Sequence, residues 1–329
     1  MPVPDLVNDR RAFLLRVLRL GGASAVTLGL GGYLATRSAR PREAEARQFD
    51  RDHRVADRAD LPEMVVAQGA PADPATLVRR AIEEMGGMSR FVARGETVVV
   101  KPNVAWDRLP EQAATTNPDA VAEMVRLCLA AGAGSVIVAD VTCNDAEACF
   151  DRSGIGAAAR AAGAEVVLPQ PRFFTKVDIK GQTLGEWPVL APFLDADKLI
   201  NMPIAKHHSL TGVTLGMKNW YGLIGGDRNR LHQRIHESIV DLAGFAKPTL
   251  TVLDAYRVLM RSGPTGGSVD DVEQKNTVIA CVDPVAIDAY AAKAWWDLDL
   301  PRLRFLRIAE ERGVGRTDFS ALRTSVIQI

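Results

Sequence analysis

From residue 61 onward, short apolar runs alternate with longer amphipathic stretches. The runs at 64–68, 97–101, 135–140, 165–168, 198–202, 249–254, 276–282 and 325–329 are rich in Val, Ile and Leu and have strand length, which predicts β-strands. Between them, 74–85, 119–131, 155–162, 230–246, 285–296 and 303–312 repeat apolar residues at helical spacing. Three of these helices open on an acid or amide followed by proline: Asp73-Pro74, Asn117-Pro118 and Asp283-Pro284. The side-chain oxygen can accept a free N–H of the first turn, and proline at the first helical position forfeits no bond. Strands alternating with helices predict an α/β fold, a largely parallel sheet with flanking helices, built over 61–329 as one domain or as two lobes around a cleft. Residues 170–195 break the rhythm with strand-like pieces and turns at Gly181 and Gly185, and predict an antiparallel hairpin or an insertion.

The first sixty residues have a different character. Arg10-Arg11 precede Phe13-Leu14, Arg16 and Arg19, and an apolar, glycine-rich run at 20–35 follows. A basic segment before a modest apolar one reads as an export signal over 1–40, and it resembles the twin-arginine signal, whose machinery exports folded proteins. The expected location is periplasmic or extracytoplasmic, with membrane contact through this segment alone if it remains uncleaved as an anchor. Residues 41–60 are charged and weakly periodic and read as a linker or solvated helix, with His53 at the surface.

Lysine plus arginine equal aspartate plus glutamate at 40 each. The first forty residues hold six arginines and two aspartates, so the remainder is mildly acidic, with 34 basic and 38 acidic residues. Such a body argues against nucleic acid as a partner. Against that background 201–236 stands out: it carries Lys206, Lys218, Arg228, Arg230 and Arg234 with Asp227 as its only acid, and His207, His208, His232 and His236. A local positive patch on a mildly acidic body favours a small anionic ligand.

In open α/β sheets ligands bind beyond the carboxyl ends of the strands. Lys101 and Asn103, Asp140, Asn201 and Asp254 stand where apolar runs end, and together they predict a shared cleft. Lys101, Lys206 and Lys218 would neutralise an anion, while Asn103, Asn201 and Asn219 would orient it. His208 is assigned acid–base work, because imidazole titrates near neutrality. Lys218, if desolvated, could act as a nucleophile or attachment point, and Asp254 could orient a base. Thr115 and Thr116, opening a helix, and the loop with Gly266 and Gly267 could hold oxygens of the same ligand. A divalent metal would draw on His232 and Asp283; His232 and His236 are also spaced to share one helix face. Adjacent His207 and His208 on an extended chain point to opposite faces, so one of them is a bystander. The cysteines at 128, 143, 149 and 281 include no C-x-x-C, so no iron–sulfur cluster is expected. Cys143 and Cys149 flank a short loop and could pair in an oxidising compartment.

In these residues the chain resembles the prokaryotic family called domain of unknown function 362. The likeness spans about Val98 to Ala292 and rests on Lys101-Pro-Asn103, Thr115-Thr116-Asn117-Pro118, Asp140, Asn201-Met-Pro203, Lys206, His208 and Thr214. It continues through Lys218-Asn219, Gly222, Arg228, His232, Asp254, Gly263-Pro264, Gly266-Gly267 and Asp283-Pro-Val-Ala-Ile-Asp288. Some members of that family carry ferredoxin-like cysteine clusters; this chain does not. A more distant spacing likeness is to the lactate-racemase family. There a His stands ten residues before a Lys that carries a nickel pincer nucleotide; here His208 precedes Lys218 by ten, although Leu215-Gly216-Met217 replaces the Gly-Gly-Arg of that family. The first resemblance implies no settled activity; the residues favour an enzyme of unknown reaction class, with isomerase or racemase-like and redox-associated chemistry as the candidates. The alternative is a non-catalytic periplasmic binding or cofactor-accessory protein.

Overall fold

In the computed structural model, residues 48–329 are described. The export signal expected at 1–40 lies outside them. The strands are β1 (Met64–Gln68), β2 (Thr97–Pro102), β3 (Ser135–Ala139), β4 (Glu165–Val167), β5 (Phe174–Asp178), β6 (Glu186–Leu190), β7 (Lys198–Met202), β8 (Ile204–His208), β9 (Gly212–Thr214), β10 (Leu250–Leu259), β11 (Val272–Cys281) and β12 (Thr324–Gln328). The helices are α1 (Pro74–Glu84), α2 (Pro118–Ala130), α3 (Ala146–Arg152), α4 (Ile155–Ala161), α5 (Ala191–Asp195), α6 (Gly216–Asn219), α7 (Ile235–Ala246), α8 (Pro284–Trp296) and α9 (Arg304–Glu311).

Ten strands make one sheet among the described residues, in the order β12-β1-β11-β10-β7-β2-β3-β4, with β8 branching from β10 and β9 pairing with β8. The half formed by β10, β7, β2, β3 and β4 is parallel throughout, whereas β11 runs antiparallel to both β1 and β10. The fold class is thus α/β, with one continuous sheet in place of two lobes. Residues 174–190 form the antiparallel hairpin β5–β6 as a separate two-stranded sheet.

The apolar strand runs follow from burial on both faces. Along β2, Val98 and Val100 point to one side, against Leu77 and Ile82 of α1 and Val121 and Val125 of α2. Val99 points to the other side and joins the cluster that holds Ile239 and Leu242 of α7, Ile287 of α8 and Phe305 of α9. Each such aliphatic side chain contributes about 1.5–3 kcal/mol by burial. The Asx-Pro starts act as caps: Asn117 accepts the Asp119 N–H at 2.9 Å, and Asp283 accepts those of Val285 and Ala286 at 2.8 and 3.0 Å.

Two expectations change. Residues 48–60 pack on the domain instead of forming a solvated linker: Phe49 meets Phe245 with ring centroids 5.1 Å apart, and His53 is buried. His53 Nδ1 lies 3.1 Å from the Asp197 carbonyl oxygen. The charges at Arg51, Asp52 and Arg54 on either side of it conceal this in the sequence. β10 also continues past Asp254 to Leu259, because β8 resumes after Pro203 and supplies it with a second parallel partner. Asp254 is therefore mid-strand. No helix of the described residues is long and apolar enough to cross a membrane.

Candidate functional site

The parallel strands β2, β3 and β7 end side by side, and the chain beyond them walls a cavity of about 600 Å³. Lys101 and Asn103 enter from the end of β2, and Asp140, Val141 and Cys143 from the segment after β3. Lys206 and His208 come from β8, and Lys218, Asn219, Tyr221 and Gly222 from α6 and the turn after it. Arg228 and His232 close one side.

Lys101 is fully buried, and its Nζ lies 2.6 Å from Asp140 Oδ1 and 2.9 Å from the Pro102 carbonyl oxygen. Burial lowers its pKa, and Asp140 opposes that shift. Asp140 Oδ2 accepts the Val104 N–H at 2.6 Å, so the pair also ties the ends of β2 and β3 together. Gly222 closes over it: a Cβ there would stand 1.7 Å from Asp140 Oδ1 and 2.7 Å from Lys101 Nζ. Only a residue without a side chain permits that approach.

Lys206, also fully buried, has no carboxylate in salt-bridge range among the described residues. Its Nζ donates to Asn103 Oδ1 at 3.0 Å and to the Ala114 carbonyl at 2.6 Å. The hydrogen bonds then run one way. Asn103 Nδ2 donates to Asn219 Oδ1 at 2.9 Å, Asn219 Nδ2 to Asn201 Oδ1 at 2.9 Å, and Asn201 Nδ2 to the Gly216 carbonyl at 2.9 Å. The three asparagines therefore hold one another and α6 in place; Asn103 and Asn219 also line the cavity, whereas Asn201 does not. At the start of α6, the Asp288 carboxylate accepts the N–H groups of Gly216 at 2.7 Å and Met217 at 3.0 Å.

Lys218, carried on α6, is nine-tenths buried, and its Nζ sits 4.5 Å from the centre of the Tyr221 ring. It makes no hydrogen bond or salt bridge with the described residues. Burial brings its pKa down to about 8, with Arg228 adding to the shift, and brings that of Lys206 to about 7, with Lys218 contributing. Arg228 is itself pinned: Nη1 donates to the Val141 carbonyl at 2.7 Å and Nη2 to that of Thr142.

Burial, then Lys218 and Lys206, push the pKa of His208 to about 2, so the ring stays neutral at physiological pH. Its Nδ1 accepts the Leu210 N–H at 3.1 Å, which leaves the proton on Nε2 and makes the ring a fixed hydrogen-bond donor. His207 points away, its Nδ1 accepting the Gly263 N–H at 3.2 Å. Asp254 is withdrawn from the cleft and holds the Asn117 and Tyr256 N–H groups at 2.7 and 2.9 Å. Burial raises its pKa to about 6.

Thr116 Oγ1 donates to the Met202 carbonyl at 2.7 Å and accepts the Asn103 N–H at 2.8 Å, bracing the cleft from behind. Thr115 is buried outside the lining. Gly266 and Gly267 also lie outside it, the Gly267 carbonyl accepting from Gln112 Nε2 at 2.7 Å; Pro264 is the member of that loop that reaches the cleft.

The metal assignment does not come together. His232 lines the cleft with its ring edge-on to Tyr221, while Asp283 caps α8 and lies outside the lining. His236 instead stacks parallel to Phe305, because 228–234 form a tighter helix than the α-helix assumed for 230–246. Among the described residues no three His, Cys, Asp or Glu side chains gather for a metal ion. Cys143 and Cys149 are separate thiols, Cys149 buried in the core and Cys143 exposed at the cleft.

Trp106, Cys143 and Tyr221 of the lining had no place in the sequence-derived set. Tyr221 had a usable signal, standing three residues after Lys218 where one helical turn brings the two together. Trp106 and Cys143 sit on loops that follow no period.

The molecule is thus an α/β protein with a cationic cleft at the carboxyl ends of parallel strands. The chain belongs to the family described as domain of unknown function (DUF362), whose profile matches residues 98–293. It is 26% identical over 220 residues to a thylakoid-associated protein of Synechocystis sp., covering 64% of this chain and 66% of that one. This chain thus spans just under two thirds of that relative's length.

Two solved structures are similar over part of their length. The lactate racemase apoprotein of Thermoanaerobacterium thermosaccharolyticum matches with a TM-score of 0.41 and 13% identity, over 73% of this chain and 58% of that one. A Thermotoga maritima protein matches with a TM-score of 0.37 and 14% identity, over 74% and 60%.

Proposed function

We propose that the cleft binds a small organic anion and that the protein is an enzyme acting on it. The observation that carries this reading is the pair Lys206 and Lys218: two buried amines facing one cavity, neither with a carboxylate partner among the described residues. A buried ammonium without a counter-charge is costly, and it is relieved either by losing its proton or by an arriving anion. Arg228 adds a permanent positive charge, and the neutral His208 ring offers an N–H donor. Near neutral pH the two amines can each exist in either protonation state, which suits proton transfer to and from a bound substrate. The protein would act outside the cytoplasm, exported through Arg10-Arg11 and the apolar segment behind them; the thylakoid-associated description of the Synechocystis relative agrees with a place at or beyond a membrane.

Thermal unfolding in the presence of oxalate, inorganic phosphate and neutral oxamide tests the binding step. A dose-dependent rise in Tm with an anion and none with oxamide is expected; equal behaviour of all three contradicts the reading.

A further inference from the structure

The geometry points to Lys218 as an imine-forming residue, so that the anion this cleft takes is a small carbonyl compound of the 2-oxo acid or aldehyde-acid class. The inference rests on the anion-binding reading above and narrows it to a substrate class and a bond.

Three amines face the cavity, and the structure separates them. Lys101 is held by Asp140 at 2.6 Å and by the Pro102 carbonyl, so its ammonium form is compensated. Lys206 donates to two oxygens at 3.0 and 2.6 Å, and an imine there would break at least one of those bonds, because an iminium nitrogen keeps a single N–H. Lys218 has no hydrogen-bond acceptor among the described residues, is nine-tenths buried, and is directed into a 600 Å³ cavity large enough for a small acid. The face of Tyr221 lies against its Nζ and positions the amine without consuming its lone pair. The guanidinium of Arg228, fixed by the Val141 and Thr142 carbonyls, disfavours the charged form of Lys218. The same guanidinium can bind a carboxylate through N–H donors. One cleft therefore holds an amine that sheds its proton readily and a fixed cation for the acid group.

The step balances without an oxidant. The neutral Lys218 amine attacks the carbonyl carbon, a C–N bond forms, and the proton shed by the nitrogen passes to the carbonyl oxygen to give a carbinolamine. One further proton, from solvent or the Lys206 ammonium, lets that hydroxyl leave as water while the nitrogen lone pair closes the C=N bond of the protonated imine. The positive nitrogen then draws electrons from the adjacent carbon, which lowers the barrier to breaking a bond there. With a pKa of about 8, Lys218 presents at pH 8 roughly a hundredfold larger free-amine fraction than an exposed lysine.

The test traps the imine. The full chain is incubated at pH 8 with glyoxylate and cyanoborohydride, and the reduced adduct is located by peptide mass mapping. The parallel probe is propanal, a neutral aldehyde, and oxalate binding, which cannot form an imine, is measured calorimetrically on the same preparation. Expected are one adduct per chain on Lys218, formed at least about tenfold faster than on any other lysine, slower trapping of propanal, protection by oxalate, and no adduct at that position in Lys218→Arg. Because the mapping is done on the unaltered protein, the result stands whether or not the variant folds. Adducts spread evenly over surface lysines, with oxalate still bound, would overturn the imine while leaving the anion site. Absence of oxalate binding together with scattered adducts would overturn both.

Discussion

Lys101 Nζ lies 2.6 Å from Asp140 Oδ1 with both side chains buried at the ends of adjacent parallel strands. Removing one partner strands the other charge in the interior. Lys101→Met is therefore expected to lower stability by about 3–5 kcal/mol, and Lys101→Met with Asp140→Leu by clearly less, because the doubly substituted protein buries no charge there. Urea denaturation of the three proteins measures this. Gly222→Ala is expected to disrupt the same pair, since the added Cβ meets Asp140 Oδ1 at 1.7 Å.

The asparagine relay makes a separate prediction. Asn219 both accepts from Asn103 and donates to Asn201, at 2.9 Å each way. Asn219→Leu leaves a buried donor on one neighbour and a buried acceptor on the other, and each unsatisfied group costs about 1–3 kcal/mol. Asn219→Asp should be damaging as well, because a carboxylate cannot donate to Asn201. Thermal unfolding ranks the variants below the wild type.

Anion affinity should depend on pH in a stated direction. Burial holds Lys206 at about 7 and Lys218 at about 8, both below free lysine, and an anion favours the ammonium of each. Binding therefore takes up protons. Affinity is full below about pH 7 and falls as pH rises through 7 to 8 and beyond, by up to about tenfold per pH unit for each lysine that must be recharged. Oxalate titrations from pH 6 to pH 9 check the slope.

For the ligand-free protein the same lysine is a burden. The folded pKa of Lys218 lies below its unfolded value, so the unfolded chain binds more protons between about pH 8 and pH 10. The penalty of burying the ammonium is fully present below that window and fades as pH rises through it. Lys218→Met is expected to stabilise the empty protein at pH 7, by up to roughly 3 kcal/mol less whatever the Tyr221 ring returns, with the gain vanishing near pH 10. Urea denaturation at the two pH values measures the difference.

Much of the fold can be read from period and punctuation. MVVAQ at 64–68 and KLINM at 198–202 are strands with the predicted bounds, and the Asx-Pro starts of α1, α2 and α8 are caps as their chemistry demands. The start of β11 is hidden because the polar run Glu273-Gln274-Lys275-Asn276 interrupts the apolar pattern, although it lies within the strand and pairs with β10 through Glu273 and Gln274. At the cleft, Lys101, Asp140 and Lys206 are visible as polar residues on apolar strands. What the sequence could not show is how polar groups pair. Asp254 and Asn201 look like ligand-binding ends but spend their hydrogen bonds on the Asn117 and Tyr256 N–H groups and on the Gly216 carbonyl with Asn219. Burial first, and then the lysines that the fold packs around it, keep the His208 ring neutral, and no spacing rule reports either.

Calorimetric titration of oxalate at pH 6.5 into the wild type and into Lys218→Met addresses the central claim most directly. A single saturable site is predicted, weakening with added salt and losing about 1.5–3 kcal/mol of binding free energy in the variant. An absence of binding to the wild type, or equal affinity in the two proteins, would contradict a cleft built around the unpartnered charge of Lys218.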